Sequence, residues 1–224
     1  MNVVALFETM RVRGGGLPLL ERHLTRLRAA AEQVGLPAPP SLSVDARTRA
    51  RGGAPERVLK VVWDGHRPEW EERAAPSAAP LTVVTVAEPY VAYPVKSVAR
   101  DVFERATGEA TAAGADEPLL LTRQGHVAET ARFSLVWLDG NVLKVPDPAL
   151  GVLPSVGLAR LLELASARRW GVLAGRFHRT ALKGRPAVLV NAVRGVVPVA
   201  TLDGVQVPVA PAFTELGAEF WPAA

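Results

Sequence analysis

The sequence predicts an α+β fold of two lobes, a smaller N-terminal lobe over residues 1–90 and a larger mixed lobe over residues 91–224. Two observations predict this arrangement. Early strands flank one long amphipathic helix, and the second half then alternates hairpin strands with helices. We place the junction of the lobes near residues 90–95, and clefts between lobes are a common place for cofactors.

The N-terminal lobe is predicted to begin with a strand and a helix. Residues 3–12 alternate as a strand does, and a tight turn is expected at Gly14-Gly15-Gly16. Apolar residues at helical spacing predict a helix over residues 19–35, for which Gly35 is a natural stop. A second short helix is predicted over residues 43–51.

The approach to the junction contains two further strands, at residues 58–63 and 81–87. Residues 64–80 between them are rich in Pro, Ala and charged residues, which predicts an exposed loop. After the junction, a helix is predicted over residues 97–113.

The C-terminal lobe is predicted as a run of strands followed by helices. An amphipathic helix over residues 155–169 has Ser155 as its candidate N-cap, and a short helix lies around residues 213–220. The strands are aliphatic runs bounded by turn residues, at 118–122, 127–130, 135–138, 142–145, 188–190 and 197–202.

The composition excludes several kinds of site. There is no cysteine, which excludes disulfides, thiol catalysis and cysteine zinc sites. The four histidines are scattered without ligand spacing, so no metal site is expected. The net charge of +4 comes mostly from arginines interleaved with Ala and Leu, which favours an anionic small molecule over nucleic acid. We see neither a signal peptide nor a membrane-spanning run and expect a cytoplasmic protein.

Lys96 stands alone where a strand-rich stretch is predicted to turn into a helix, and Glu129 follows 33 residues later. An amine nucleophile with a distant carboxylate suits a pyridoxal phosphate enzyme, in which a lysine forms the Schiff base and an acid keeps the pyridine nitrogen protonated. The amine must be able to lose its proton, and burial beside a cation would lower its pKa. Alone, the pair also fits an exposed lysine and a solvated carboxylate.

Two phrases near the start of the chain carry a family resemblance. They are Phe7-Glu8-Thr9-Met10-Arg11 and His23-Leu24-Thr25-Arg26-Leu27. They resemble the FET-x-R strand and HLxRL helix of the class IV, or fold type IV, pyridoxal phosphate enzymes, which include branched-chain and D-amino-acid transaminases and 4-amino-4-deoxychorismate lyase. The resemblance implies that Arg26 binds the cofactor phosphate, that Lys96 forms the Schiff base and that Glu129 pairs with the pyridine nitrogen.

Two later phrases resemble the family's turns beside the cofactor. Gly151-Val152-Leu153-Pro154-Ser155-Val156-Gly157 is similar to its GxLPGxT phrase, and Asn191-Ala192-Val193-Arg194-Gly195 is similar to its NSLRG phrase. The resemblance implies that Val156, Gly157, Asn191 and Ala192 contact the cofactor. A helix start is suited to phosphate because its first N–H groups are free to donate.

The chain also departs from the family pattern. Ser134 stands where the family usually has Asn, and Gly157 stands where Thr or Ala is usual. The FET phrase lies close to the first residue, whereas family members usually carry a longer segment before it. We therefore expect an N-terminally shortened fold type IV protein.

The resemblance favours a lyase similar to 4-amino-4-deoxychorismate lyase, which eliminates pyruvate to give 4-aminobenzoate for folate synthesis. Thr9, Arg100 and Arg194 are the candidates for contact with a small anionic amino substrate, and Arg100 is closer to the lyases than to the transaminases. The alternatives are a class IV aminotransferase for branched-chain or D-amino acids and a non-catalytic family member. The family also implies a homodimer.

Overall fold

The computed structural model describes residues 5–54 and 56–222. The described residues contain two sheets, and the smaller one belongs to the first lobe. Three antiparallel strands form this sheet in the order β1 (Leu6–Val12), β2 (Arg57–Trp63) and β3 (Pro68–Ala74). Helices α1 (Leu20–Gln33) and α2 (Ser43–Arg51) bury their apolar side chains against β1 and β2 in one cluster. Alternate residues of β1 are buried, as expected for a strand with one face on a core.

The predicted strand, turn and helices of this lobe are confirmed. The strand is present from Leu6, while residues 3 and 4 lie outside the described residues. In the turn, Arg13 and Gly16 exchange backbone hydrogen bonds of 2.9 and 2.8 Å. Gly14 and Gly15 both have positive φ, at 54° and 78°, a conformation that glycine adopts without steric strain.

The prediction of a loop over residues 64–80 is wrong, because β3 occupies residues 68–74. This strand lies at the edge of the sheet, and both of its faces are largely polar. Charged pairs across the strands, Lys60 with Glu71 and Arg57 with Glu72, replace the apolar alternation that would have marked a strand. Trp70 alone on β3 packs against the core cluster.

Among the described residues, nine strands form the larger sheet. They are β4 (Leu81–Thr85), β5 (Glu117–Leu121), β6 (Val127–Thr130), β7 (Ser134–Asp139), β8 (Val142–Pro146), β9 (Gly171–Gly175), β10 (Ala187–Asn191), β11 (Gly195–Leu202) and β12 (Val205–Gln206). Their order is β6-β5-β4-β11-β10-β7-β8-β9, with β12 paired to β11. Three pairs, β4 with β5, β4 with β11 and β8 with β9, are parallel.

Three helices pack on this sheet: α3 (Asp101–Ala112), α4 (Val156–Ala167) and α5 (Pro211–Ala218). Ser155 is the N-cap of α4, as predicted, because its hydroxyl accepts a 3.1 Å hydrogen bond from the Leu158 N–H. The sequence did not predict β9, whose side chains are mostly exposed. Because β4 pairs only with strands of the larger sheet among the described residues, that sheet begins near residue 81; the lobe boundary at residue 90 stays a prediction.

The predicted helix over residues 97–113 starts four residues later than expected. Ser97 forms a bridge with Leu6, and the Val98 N–H donates to the Ala5 carbonyl over 2.9 Å. These residues therefore extend along the free edge of β1, and α3 begins only at Asp101. Within the described ranges, no helix combines the length and apolar character that crossing a membrane requires.

Candidate active site

A cavity of about 280 Å³ is lined by residues from both lobes. Phe7, Thr9 and Arg26 are among the residues of the first lobe, and the rest of the wall comes from residues 93–103, the hairpin of β6 and β7, the start of α4 and the turn after β10. The structure brings together all ten residues that the sequence singled out: Thr9, Arg26, Lys96, Arg100, Glu129, Val156, Gly157, Asn191, Ala192 and Arg194.

The backbone at Lys96 is held by β1. The Phe7 N–H donates to the Lys96 carbonyl over 2.9 Å, and the Lys96 Nζ lies 4.4 Å from the centroid of the Phe7 ring. The first strand thus fixes the lysine backbone and also supplies an aromatic face to its amine. A cation over such a face is attracted by the electrons of the ring.

Burial lowers the pKa of Lys96, and the positive charges of Arg26 and Arg100 lower it further, to about 7. Glu8 and Glu129 oppose this shift but do not cancel it. A lysine normally titrates near 10.5, so at neutral pH this amine is neutral far more often than a solvated one. The neutral form is the nucleophile and the base.

Glu129 is a buried carboxyl whose neighbours support both of its protonation states. Burial raises its pKa to about 7, although hydrogen bonding from Tyr90 works in the opposite direction. The Tyr90 hydroxyl lies 3.0 Å from Glu129 Oε1 and 2.8 Å from the Gly151 carbonyl. Its single proton goes to the carboxylate when Glu129 is ionised, or to the carbonyl when Glu129 is protonated.

Arg26 is oriented by Glu8, a residue whose role the sequence did not reveal. The Arg26 Nε and Nη2 donate to the two Glu8 oxygens over 2.7 and 2.6 Å, and Nη1 donates to the Pro154 carbonyl over 2.9 Å. A guanidinium has five N–H donors, so these three bonds leave two for an anion in the cavity. Glu8 lies in the FET phrase and Arg26 in the HLxRL phrase. The presence of both phrases is the sequence signal that could have indicated a contact between the two residues.

The Glu8 carboxylate also holds His23. Its Oε2 lies 2.6 Å from His23 Nδ1, and both side chains are buried. Burial raises the pKa of Glu8, but the charge of Arg26 and the hydrogen bonds from His23 and Arg26 outweigh it and bring the value down to about 2. Burial lowers the pKa of His23. A neutral His23 with its proton on Nδ1 therefore fits this pairing, and its Nε2 is left as an acceptor.

The start of α4 provides backbone donors beside the turn after β10. Ala159 makes the first helical bond, to the Ser155 carbonyl, so the N–H groups of Val156 and Gly157 have no partner within the helix. A Cβ on Gly157 would lie 2.5 Å from the carbonyl carbon of Asn191 and 2.9 Å from the nitrogen of Ala192. Glycine is thus required for the close approach of these two backbone segments.

We expect Gly157→Ala to separate the start of α4 from the turn after β10 and to lower the free energy of unfolding by about 1–3 kcal/mol. The clash involves backbone atoms, which cannot move aside as a flexible side chain would. Chemical denaturation measures the change. Gly108→Ala is the matched control: this glycine lies in α3 with no atom within 4 Å of the new methyl group, so the change should be neutral or stabilising. Equal stability of the two variants would contradict the prediction.

Other predicted residues lie in the cavity wall but have structural partners. Arg100 donates to the Ala131 carbonyl and lies 4.8 Å from the Phe103 ring centroid. The Asn191 side-chain oxygen accepts from the N–H groups of Val193 and Arg194, over 3.0 and 2.7 Å, so it shapes the turn. Thr9 and Ser134 line the cavity as well.

The donor set of this cavity fits pyridoxal phosphate. A partly neutral amine suits its aldehyde, a buried carboxyl suits its ring nitrogen, and a guanidinium with free helix-start N–H groups suits its phosphate. The close approach at Gly157 brings the helix start next to the Asn191-Ala192 turn. The residues that would hold the group are thus Lys96, Glu129, Arg26 and these two backbone segments.

The comparisons with known proteins agree with this chemistry. Residues 53–202 match the family model of class IV aminotransferases. Similar solved structures include a hypothetical aminotransferase from Mycobacterium tuberculosis in its PLP-bound form, at 23% identity and a TM-score of 0.87, with 98% of this chain and 89% of that chain covered. No curated protein sequence matches the chain.

Two further structures show the same fold. A branched-chain aminotransferase from the archaeon Thermoproteus uzoniensis has 19% identity and a TM-score of 0.87, covering 98% of this chain and 84% of that one. A proposed 4-amino-4-deoxychorismate lyase from Legionella pneumophila has 22% identity and a TM-score of 0.81, covering 95% and 88%. Identities at this level show the fold and leave the reaction open.

Proposed function

The chain belongs to the class IV aminotransferase family, and we propose from this that it is a pyridoxal phosphate-dependent lyase, which eliminates pyruvate from 4-amino-4-deoxychorismate. The observation that carries the cofactor assignment is the convergence of Lys96, Glu129 and Arg26 on one cavity. When bound, pyridoxal phosphate supplies an electron sink beside the carbon that loses its proton.

The residues of the chain have separate roles in this proposal. Arg26 and the first N–H groups of α4 would bind the phosphate, and Glu129 would accept a hydrogen bond from the ring nitrogen. The Lys96 Nζ would hold the cofactor. The same amine, when free, would be the base that takes the proton from the substrate carbon, for which a pKa near neutrality is well suited.

The charge of the cavity favours the lyase substrate. Six cationic side chains line it, and Glu129 is the single acidic residue among the described lining residues. A substrate with two carboxylates matches that excess of positive charge better than a branched-chain amino acid, which has one. A class IV aminotransferase is the second candidate because the solved aminotransferases named above have a higher TM-score, 0.87, than the proposed lyase, 0.81.

The reaction is tested by giving the purified protein, loaded with pyridoxal phosphate, each class of substrate. We expect pyruvate and 4-aminobenzoate to form from 4-amino-4-deoxychorismate without an added keto acid. Amino transfer from a branched-chain or D-amino acid to a keto acid, with no 4-aminobenzoate formed, would select the aminotransferase. A protein that shows no cofactor absorbance after loading would be the non-catalytic family member.

We also propose a homodimer on the grounds of family membership. Two exposed apolar side chains, Val91 and Val98, lie on either side of Lys96 in the chain, where a partner could cover them. Sedimentation velocity tests this. A single monomeric species at assay concentration would contradict the proposal.

A further inference from the structure

Four of the six lysine and arginine side chains in the cavity wall have no role in binding the cofactor, and one of these four, Arg100, is held by structural partners. Arg26 is paired with Glu8 and directed to the phosphate, Lys96 is the amine, and Arg100 is bonded to Ala131 and stacked on aromatic rings. The remaining cations belong to the end of β3, the turn between β6 and β7, and the turn between β10 and β11: Arg73, Arg132 and Arg194.

Arg194 is a partly buried guanidinium with an unused donor. Its Nη2 donates to the Ala79 carbonyl over 3.0 Å, and its carbon Cζ lies 5.6 Å from the Phe133 ring centroid. The Nε atom is buried and has no hydrogen-bond partner among the described residues. Burial, together with the charge of Arg132, lowers the pKa of Arg194, and the charges of Glu117 and Asp116 oppose this shift without cancelling it.

Arg132 binds Glu117, which is the only fully buried carboxyl near Arg132 and Arg194 among the described residues. Its Nε donates to Glu117 Oε1, and its Nη2 donates to the Asp116 carbonyl over 2.8 Å. Glu117 has no exposed surface. The nearby Asp116 carboxylate is already bonded to the Thr82 N–H and hydroxyl, each over 2.8 Å. Both nearby carboxylates are therefore bonded to other groups, and no ion pair to Arg194 is found among the described residues.

We propose that Arg194, assisted by Arg132, forms a carboxylate subsite that selects amino substrates carrying a second carboxylate. This inference rests on the proposed function and adds the residue that determines specificity. A carboxylate of the substrate pairs end-on with hydrogens of the Arg194 Nη1 and Nη2, which is a bidentate geometry that a guanidinium fork favours. A substrate without that carboxylate makes no such pair and binds less tightly.

The test compares two ring ligands that cannot react with the cofactor. Chorismate carries two carboxylates, and 4-hydroxybenzoate carries one. Calorimetric titration of the cofactor-loaded wild type should show tighter binding of chorismate. In Arg194→Gln we expect the chorismate Kd to rise at least tenfold and the 4-hydroxybenzoate Kd to stay within twofold. Arg194→Lys keeps the charge and loses the planar fork. We expect its chorismate Kd to lie between that of the wild type and that of Arg194→Gln.

Arg185→Gln is the matched control, because Arg185 pairs with Asp139 on the surface and is not among the lining residues. Equal weakening of both ligands in Arg194→Gln, an unchanged chorismate Kd, or a wild type without preference for chorismate would overturn the subsite. Cofactor absorbance, measured on the same samples, reports separately on the proposed function. Arginine-dependent chorismate binding without that absorbance would keep the subsite and refute the enzyme assignment.

Discussion

Replacing Lys96 with Met is expected to abolish catalysis and also to stabilise the cofactor-free protein at pH 6. The activity falls at least 10³-fold, about 4 kcal/mol, because the variant has neither the amine that holds the cofactor nor the base that moves the proton. The cofactor absorbance that borohydride fixes in the wild type should be absent from the variant. Residual activity within tenfold of the wild type would remove Lys96 from the reaction.

The stability gain follows from the pKa of Lys96, which folding lowers from 10.5 to about 7. The unfolded chain then binds the proton more tightly than the folded one, so the native state is penalised fully below pH 7 and no longer above pH 10.5. Methionine has similar length and no charge. We expect its unfolding free energy to exceed that of the wild type by roughly 2–4 kcal/mol at pH 6, with the gain shrinking towards pH 10.

Lys183→Met is the control for both measurements, because Lys183 is exposed and lies outside the cavity wall. It should keep full activity and show no pH-dependent gain in stability. Chemical denaturation of the cofactor-free proteins at several pH values provides the comparison. A Lys96→Met variant that is less stable than the wild type at pH 6 would show that the buried amine does not destabilise the native state.

Replacing Glu8 with Ala is expected to destabilise the fold by about 3–5 kcal/mol, because the change leaves the buried His23 and the partly buried Arg26 without their shared partner. Glu8 is 1% exposed and bonds both Arg26 and His23. Without it, the Arg26 guanidinium is no longer fixed towards the phosphate, and cofactor affinity should fall about tenfold or more. Denaturant titration and cofactor titration measure the two effects.

The effect of Glu8 should depend on pH in a defined direction. Folding depresses its pKa from 4.5 to about 2, so its contribution is complete above pH 4.5 and is lost as the pH falls towards 2. The difference between wild type and variant should therefore narrow in acid. Glu56→Ala removes an exposed partner of Arg11 and should change stability by less than about 1 kcal/mol. A similar loss in both variants would contradict a special role for Glu8.

The sequence predicted which residues line one cavity better than it predicted the elements around that cavity. Lys96, Glu129 and Arg26 lie in phrases that carry their own signal, and the structure places all three in one cavity. The pairing of Glu8 with His23 and the contact of Tyr90 with Glu129 were not predicted. These are tertiary contacts, and neither residue pattern nor spacing says which buried polar groups meet.

The same reason explains the errors in secondary structure. The β3 strand has polar side chains on both faces, so it lacks the alternation by which strands are recognised. Residues 97 and 98 have no local feature against a helix, and they are extended because β1 binds them from about ninety positions away in the chain. A distant partner of this kind overrides local preference.

Residues 96–98 lie along the edge of β1, so the formation of the smaller sheet and the placement of Lys96 depend on the same contacts. The first strand of the smaller sheet also fixes the backbone of Lys96, through the bond from the Phe7 N–H to the Lys96 carbonyl. Any motion that parts β1 from residues 96–98 must break that bond. Under the function proposed above, the amine is therefore held in the cavity only while this contact is made.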